Sequence, residues 1–171
     1  WDQGITGMSE GGRRVLVIPP HLAYGSSGAG SSIPPDASLV FVVDLVSVLD
    51  LEPPAIPEPT EVGGSLEVLD LLEGTGDLVE SGNTVTVHYL GTLTDGTVFD
   101  ASWRRGMPFT TTIGVGMVIP GWDQGIVGMR EGGRRLLKIP SDLAYGERGS
   151  GAAIPPNTPL LFVVDLIRIQ S

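Results

Sequence analysis

Along most of the chain apolar and polar positions alternate with a period of two, and in one place the period lengthens. From Thr84 to Leu93 the alternation sets Val85, Val87 and Tyr89 on one face and Thr84, Thr86 and His88 on the other, which predicts a strand with one buried side. Leu66 to Leu72 reads the same way and runs into a Gly74-Thr75-Gly76-Asp77 turn, while Thr94-Asp95-Gly96 marks a hairpin. Shorter extended pieces are expected at Val98-Phe99-Asp100 and Phe109 to Ile113, and a last strand at Leu160 to Ile169. Within Gly121 to Ile139, Trp122, Ile126 and Met129 recur at i, i+4 and i+7, the spacing of one buried helix face, with Asp123, Gln124 and Arg130 on the other sides. Gly132-Gly133 is expected to end that helix. Arg135, Leu137 and Ile139 then alternate with Arg134, Leu136 and Lys138 as a strand bounded by Pro140. Strands outnumber helices, so the expected class is α+β, an antiparallel sheet wrapped around one short α-helix.

The same pattern occurs twice. Residues 1–50 reappear at 122–171 with a constant offset of 121 and no gap, about 30 of the 50 positions being identical. WDQGITGMSEGGRR matches WDQGIVGMREGGRR, and LAYG, IPP and FVVDL recur in register. Residues 51–121 have no earlier counterpart. The expected organisation is a truncated back half of a repeat at 1–50, a proline-rich acidic linker at 51–63 with no core of its own, and a complete domain at 64–171. Because the chain opens on Trp1 inside the motif, it reads as an excised segment, and compartment and organism stay open between cytoplasm and cell exterior.

Composition narrows the chemistry. With 41% hydrophobic residues and no apolar run of about eighteen, a soluble globular chain without a membrane span is expected. Ten basic against twenty acidic residues give a formal charge of −10, which disfavours nucleic acid and anionic lipid as partners. The absence of cysteine excludes disulfides, thiolate nucleophiles and zinc-thiolate sites. His88 is expected in a solvated or hydrogen-bonded structural role. The Gly-rich SGAGSS and RGSGAA stretches lack the lysine and the strand-helix context of a phosphate loop, and acids such as Asp77 and Glu80 have no tuned neighbour for hydrolysis. The doublets Arg13-Arg14, Arg104-Arg105 and Arg134-Arg135 read as solvated strand ends.

VHYLGTLTDGTVFDAS, Pro108-Phe109, GMVIPGWDQGIVGM, LAYG and IPPNTPLLFVVDL, in this order and spacing, resemble the FKBP-type peptidyl-prolyl cis/trans isomerases, the macrolide-binding immunophilins. The resemblance spans 64–171 as a whole domain and 1–50 as the back half of another. It implies an FKBP-like fold, isomerase activity without metal or cofactor, and proline-containing peptides, unfolded polypeptides and macrolides of the rapamycin type as partners. By the same resemblance, Asp100, Tyr145, Trp122 and Phe99 are the expected catalytic group. Tyr89, Arg105, Phe109, Val118, Ile119, Ile154 and Phe162 are the expected substrate-binding residues. Met117 departs from the acidic residue of well-known members, and Ser150 and Ala153 from bulkier ones. From the residues alone, isolated hydrophobes of this kind are as readily core, and Asp100 as readily a buried acceptor for Arg105 and Tyr89. A binding or chaperone module that holds proline-containing or unfolded segments without turnover is the alternative function.

Overall fold

The alternating stretch Thr84–Leu93 becomes the central strand of the larger sheet, with Val85 and Val87 wholly buried and Tyr89 nearly so. The computed structural model describes residues 1–9, 11–45 and 52–170. The last five residues of the half-repeat expected at 1–50, and Leu51 of the expected linker, lie outside the described residues. The chain divides into two units, Trp1–Asp50 and Leu51–Ser171.

The first unit contains a four-residue helix α1 (Asp2–Ile5) and two strands, β1 (Arg13–Ile18) and β2 (Leu39–Asp44), paired antiparallel from Arg13↔Asp44 to Ile18↔Leu39. The second contains strands β3 (Glu67–Leu72), β4 (Thr84–Leu93), β5 (Val98–Ala101), β6 (Phe109–Thr112), β7 (Arg134–Ile139) and β8 (Leu160–Gln170). They form a six-stranded sheet in the order β3-β7-β8-β4-β5, with β6 pairing the other half of the β4 edge; every pairing is antiparallel. Two short helices join them, α2 (Ser102–Arg105) and α3 (Pro120–Gly125). Residues 52–63 carry neither helix nor strand.

The class expected from the patterning is the one observed, with one difference at the helix. Trp122, Ile126 and Met129 are all buried, at 4%, 0% and 2% exposure, but α3 stops at Gly125, well before Gly132-Gly133. The cause is Gly128, whose φ of +81° turns the chain out of the helix, so Met129 reaches the core from a turn. A helix this short has little stability of its own and is held by what it lies against. It lies against β7 closely enough that a Cβ on Gly121 would meet Ile139 at 2.4 Å and one on Gly125 would meet Leu137 at 2.7 Å.

Arg134 and Arg135 are not solvated strand ends. Arg135 points inward at 7% exposure; its Nη1 donates to the Gly125 carbonyl at 2.8 Å and its Nε and Nη2 pair with Asp70 at 2.6 and 2.9 Å. It therefore satisfies a carbonyl left open at the end of α3. Arg134 faces the other side and pairs with Asp165, which is fully buried and also accepts from the Trp103 indole at 3.2 Å. Charge-assisted bonds of this kind are what permit a buried carboxylate. His88 lies beside them, stacked on Trp103 with ring centroids 4.0 Å apart and hydrogen-bonded through Nδ1 to Ser102, the structural role expected of it.

Candidate active site

The aromatic residues converge on one point because four sit on different strands of the sheet and the fifth on the helix packed against it. Tyr89 comes from β4, Phe99 from β5, Phe109 from β6, Phe162 from β8 and Trp122 from α3. Around Trp122, Tyr89, Phe162 and Phe109 stand edge-on at 5.3, 5.2 and 6.1 Å between centroids, and Phe99 meets Phe162 at 5.5 Å and 84°. Edge-to-face packing suits the ring quadrupoles and leaves flat faces free to line a hollow. Gly91 makes room for it: a Cβ there would lie 2.7 Å from Phe99 and 2.8 Å from Phe162. The result is a cavity of about 400 Å³ lined by Tyr89, Phe99, Asp100, Phe109, Met117, Val118, Ile119, Trp122, Tyr145 and Phe162.

Trp122 is only 4% exposed, yet its ring forms part of the wall of this opening, together with Tyr145 and Phe99. Its indole N–H is buried with no acceptor among the described residues. Val118 and Ile119 enter on the segment before α3, and that segment is held by a residue the sequence reading set aside. Both Asp123 carboxylate oxygens accept backbone N–H groups from the loop, Gly114 at 2.8 Å and Gly116 at 2.7 Å. An Asp in a first helical turn facing a Gly-x-Gly loop is the signal that would have found it.

At the polar end Asp100 uses both oxygens. One accepts the Tyr89 hydroxyl at 2.5 Å and the other accepts Arg105, whose Nη2 also donates to the Tyr89 oxygen at 2.8 Å. Burial opposes charge on Asp100, but the bonds from Tyr89 and Arg105 and the nearby guanidinium outweigh it and hold the carboxyl below the usual carboxylate range. Burial first, and the bond to Asp100 second, push the Tyr89 phenol up, so Tyr89 stays protonated. Tyr145 stands 39% exposed on the rim with no hydrogen bond from its hydroxyl to any described residue.

Nine of the eleven residues expected from the sequence line the cavity. Arg105 does not; it stands behind Asp100 and Tyr89. Ile154 does not either, and is packed at 5% exposure in the core next to the cavity. Met117 joins the lining, with 69% of its surface exposed.

A family model described as FKBP-type peptidyl-prolyl cis-trans isomerase matches residues 1–46 and 76–167. The chain belongs to that family. It is similar to peptidyl-prolyl cis-trans isomerase FKBP10 of Mus musculus, 44% identical over 97% of this chain, and to FKBP9 of Homo sapiens, 43% identical over 97%. The chain spans about a quarter of those relatives, 27% of each. An FK506-binding protein of Neisseria meningitidis is 52% identical over 62% of this chain and 97% of its own length. The crystal structure of AtFKBP13 matches with a TM-score of 0.59 and 42% identity, over 64% of this chain and 96% of that one. The chain has the FKBP-like fold. Among the described residues no group of three or more His, Asp or Glu could hold a metal, and no helix is long and apolar enough to cross a membrane.

Proposed function

We propose that the cleft of the second unit accelerates rotation about Xaa-Pro bonds in proline-containing peptides and unfolded polypeptides. The observation that carries this is the apolar cavity floored by Trp122, with the free Tyr145 hydroxyl and the anionic Asp100 at its edge. Rotation meets a barrier of about 18–20 kcal/mol because amide resonance must be broken. No proton or nucleophile has to move. A twisted amide has less charge separation than a planar one, so an apolar cavity favours the twisted form over the ground state. In this reading Trp122 supports the proline ring and Phe99, Phe109, Val118, Ile119 and Phe162 enclose it. Tyr145 donates to the substrate carbonyl, and Asp100 orients the rotating amide through its field. Met117 and Ile154 shape the edge and the backing of the cavity.

The same cavity takes macrolides of the rapamycin type, and such a compound competes with peptide. The catalytic domain is 64–171, and 1–50 is a half-repeat without counterparts of Tyr89, Phe99, Asp100 or Phe109. Catalysed exchange of a Xaa-Pro peptide tests the proposal. Tyr145→Phe and Asp100→Ala should each lower kcat/KM about tenfold or more, the loss expected for a hydrogen bond or charge used in the transition state. One observation favours the alternative of binding without turnover: both oxygens of Asp100 are already engaged, by Tyr89 and Arg105. Peptide binding without acceleration would decide for it.

A further inference from the structure

The cleft has its floor on α3 and one wall at Val118 and Ile119, and the chain between β6 and α3 has to bring the second to the first. Ile113 is wholly buried and Trp122 nearly so, but Gly114, Val115, Gly116 and Met117 between them are exposed, an arch that contributes nothing to the core. Such an arch is placed by its hydrogen bonds. Among the described residues three reach it: the two Asp123 carboxylate oxygens accept from the Gly114 and Gly116 N–H groups, at 2.8 and 2.7 Å, and Ser81 Oγ donates to the Gly114 carbonyl at 3.2 Å. Gly114 and Gly116 take φ of +80° and +79°, the left-handed region that bends the arch over one carboxylate. A carboxylate is acceptor-only, and its charge strengthens both bonds.

Asp123 also follows Trp122 directly in α3, and the two backbone N–H groups share the Ile119 carbonyl, at 3.2 and 2.9 Å. One residue therefore ties the indole floor to the arch, and Met117, Val118 and Ile119 are strung between the tied points.

We propose, resting on the cleft's reading as a prolyl-peptide site, that Asp123 is a positioning residue: its carboxylate fixes the Val118–Ile119 wall against Trp122 before substrate arrives. Gly114 and Gly116 are exposed, so water replaces a lost carboxylate, no buried donor is stranded and the fold keeps its stability. Order is what the arch loses. A loose wall has to be ordered by each ligand that enters, and that cost falls equally on ground state and transition state, so KM rises while kcat holds. A damaged fold gives the opposite split, because a smaller folded fraction lowers apparent kcat and leaves KM alone.

The test uses the full chain, with catalysed exchange of a Xaa-Pro peptide for KM and kcat, calorimetry for peptide Kd and circular dichroism for folding. Asp123→Ala should raise KM and Kd about fivefold or more and leave kcat within about twofold, and Asp123→Asn, whose amide keeps one acceptor oxygen, should fall between it and wild type. Ser81→Ala frees the arch at its third bond without touching α3, and should raise KM by less. In a Val118→Ala/Ile119→Ala background the wall is already cut back, so adding Asp123→Ala should change KM by less than about twofold. Unchanged KM and Kd in Asp123→Ala, a full multiplication of effects in the wall-less background, or a lower kcat at constant KM would overturn the proposal. A wild-type chain that binds peptide without turnover refutes the isomerase reading alone, since the Kd ratio between wild type and Asp123→Ala still decides the role of Asp123.

Discussion

Replacing Arg135 by alanine should unfasten the helix that carries the cleft floor, and the cost can be worked from its contacts. The side chain is 8% exposed; it donates to the carbonyls of Gly125 and Val127 and forms a two-point pair with Asp70, whose own side chain is 48% exposed. Asp70 returns to water when the arginine is lost, so the ion pair accounts for about 0–1 kcal/mol. The Gly125 carbonyl is buried and cannot, which adds about 1–3 kcal/mol for an unsatisfied acceptor. Arg135→Ala should therefore cost about 1–4 kcal/mol, a fall in Tm of about 4 °C for each kcal/mol in a unit of this size. Asp70→Ala should cost about 1 kcal/mol or less, because it leaves the bond to the carbonyl in place. Denaturant unfolding followed by circular dichroism measures both. If Asp70→Ala costs as much as Arg135→Ala, the ion pair rather than the carbonyl holds α3 and the reasoning is wrong.

Three further outcomes follow from the site. Asp100 has its folded pKa lowered, so its anion, and the stability tied to it, persist below the ordinary carboxylate value of about 4 and are lost only as pH falls through the depressed value. Isomerase rates should be flat from neutral pH down past 5, and Arg105→Met should move the acid limb upward; a limb unmoved by that change would remove Asp100 from the rate. His88 is also lowered, by burial first, with Asp165 opposing. Its folded state favours the neutral ring, so stability should drop as pH falls below about 6.5, and His88→Gln should flatten that slope in unfolding measured from pH 7.5 to 5. Gly91→Ala would force Phe99 and Phe162 apart or into the cavity, an overpacking cost of about 1–3 kcal/mol, and should raise KM for peptide more than it destabilises the fold.

Period-two runs of unmixed character were legible down to their ends: β4 and β7 begin and end where alternation does. The aromatic lining was legible through the family resemblance, since nothing in the spacing of Tyr89, Phe109 and Trp122 says that two strands and a helix bring them together. What the sequence concealed were the polar inward positions. Arg135 sits in the alternation as an inward residue, but its charge outweighed its register, and besides Asp70, 65 positions away, its partners are backbone carbonyls that no side-chain pattern advertises. Asp165, in the apolar run LLFVVDL, was hidden in the same way, its partner Arg134 lying 31 positions earlier. The early end of α3 was missed because i, i+4, i+7 spacing can be met by a helix followed by a turn.

The two copies of the back half act as an internal control on what builds the cleft. Trp1 and Phe41 stand 5.1 Å apart, and Trp122 and Phe162 stand 5.2 Å apart. Arg14 donates to the carbonyls of Gly4, Thr6 and Gly7 as Arg135 does to those of Gly125, Val127 and Gly128. The local geometry thus belongs to the fifty-residue segment itself. Burial does not: Trp1 is 56% exposed against 4% for Trp122, and the Arg13–Asp44 side chains are 71% and 53% exposed against 21% and 0% for Arg134–Asp165. For the tryptophan the difference is made by the front-half strands, which set Tyr89 of β4 and Phe109 of β6 against Trp122; for the ion pair it is made by Trp103 of α2 on Asp165 and the Glu52 carbonyl on Arg134. A tryptophan correctly placed on its helix is consequently not enough for a cavity. It becomes a floor only where strands from the front half raise walls around it, so activity of the kind proposed belongs to the second unit, and residues 1–50 should contribute none of it however closely their sequence follows 122–171.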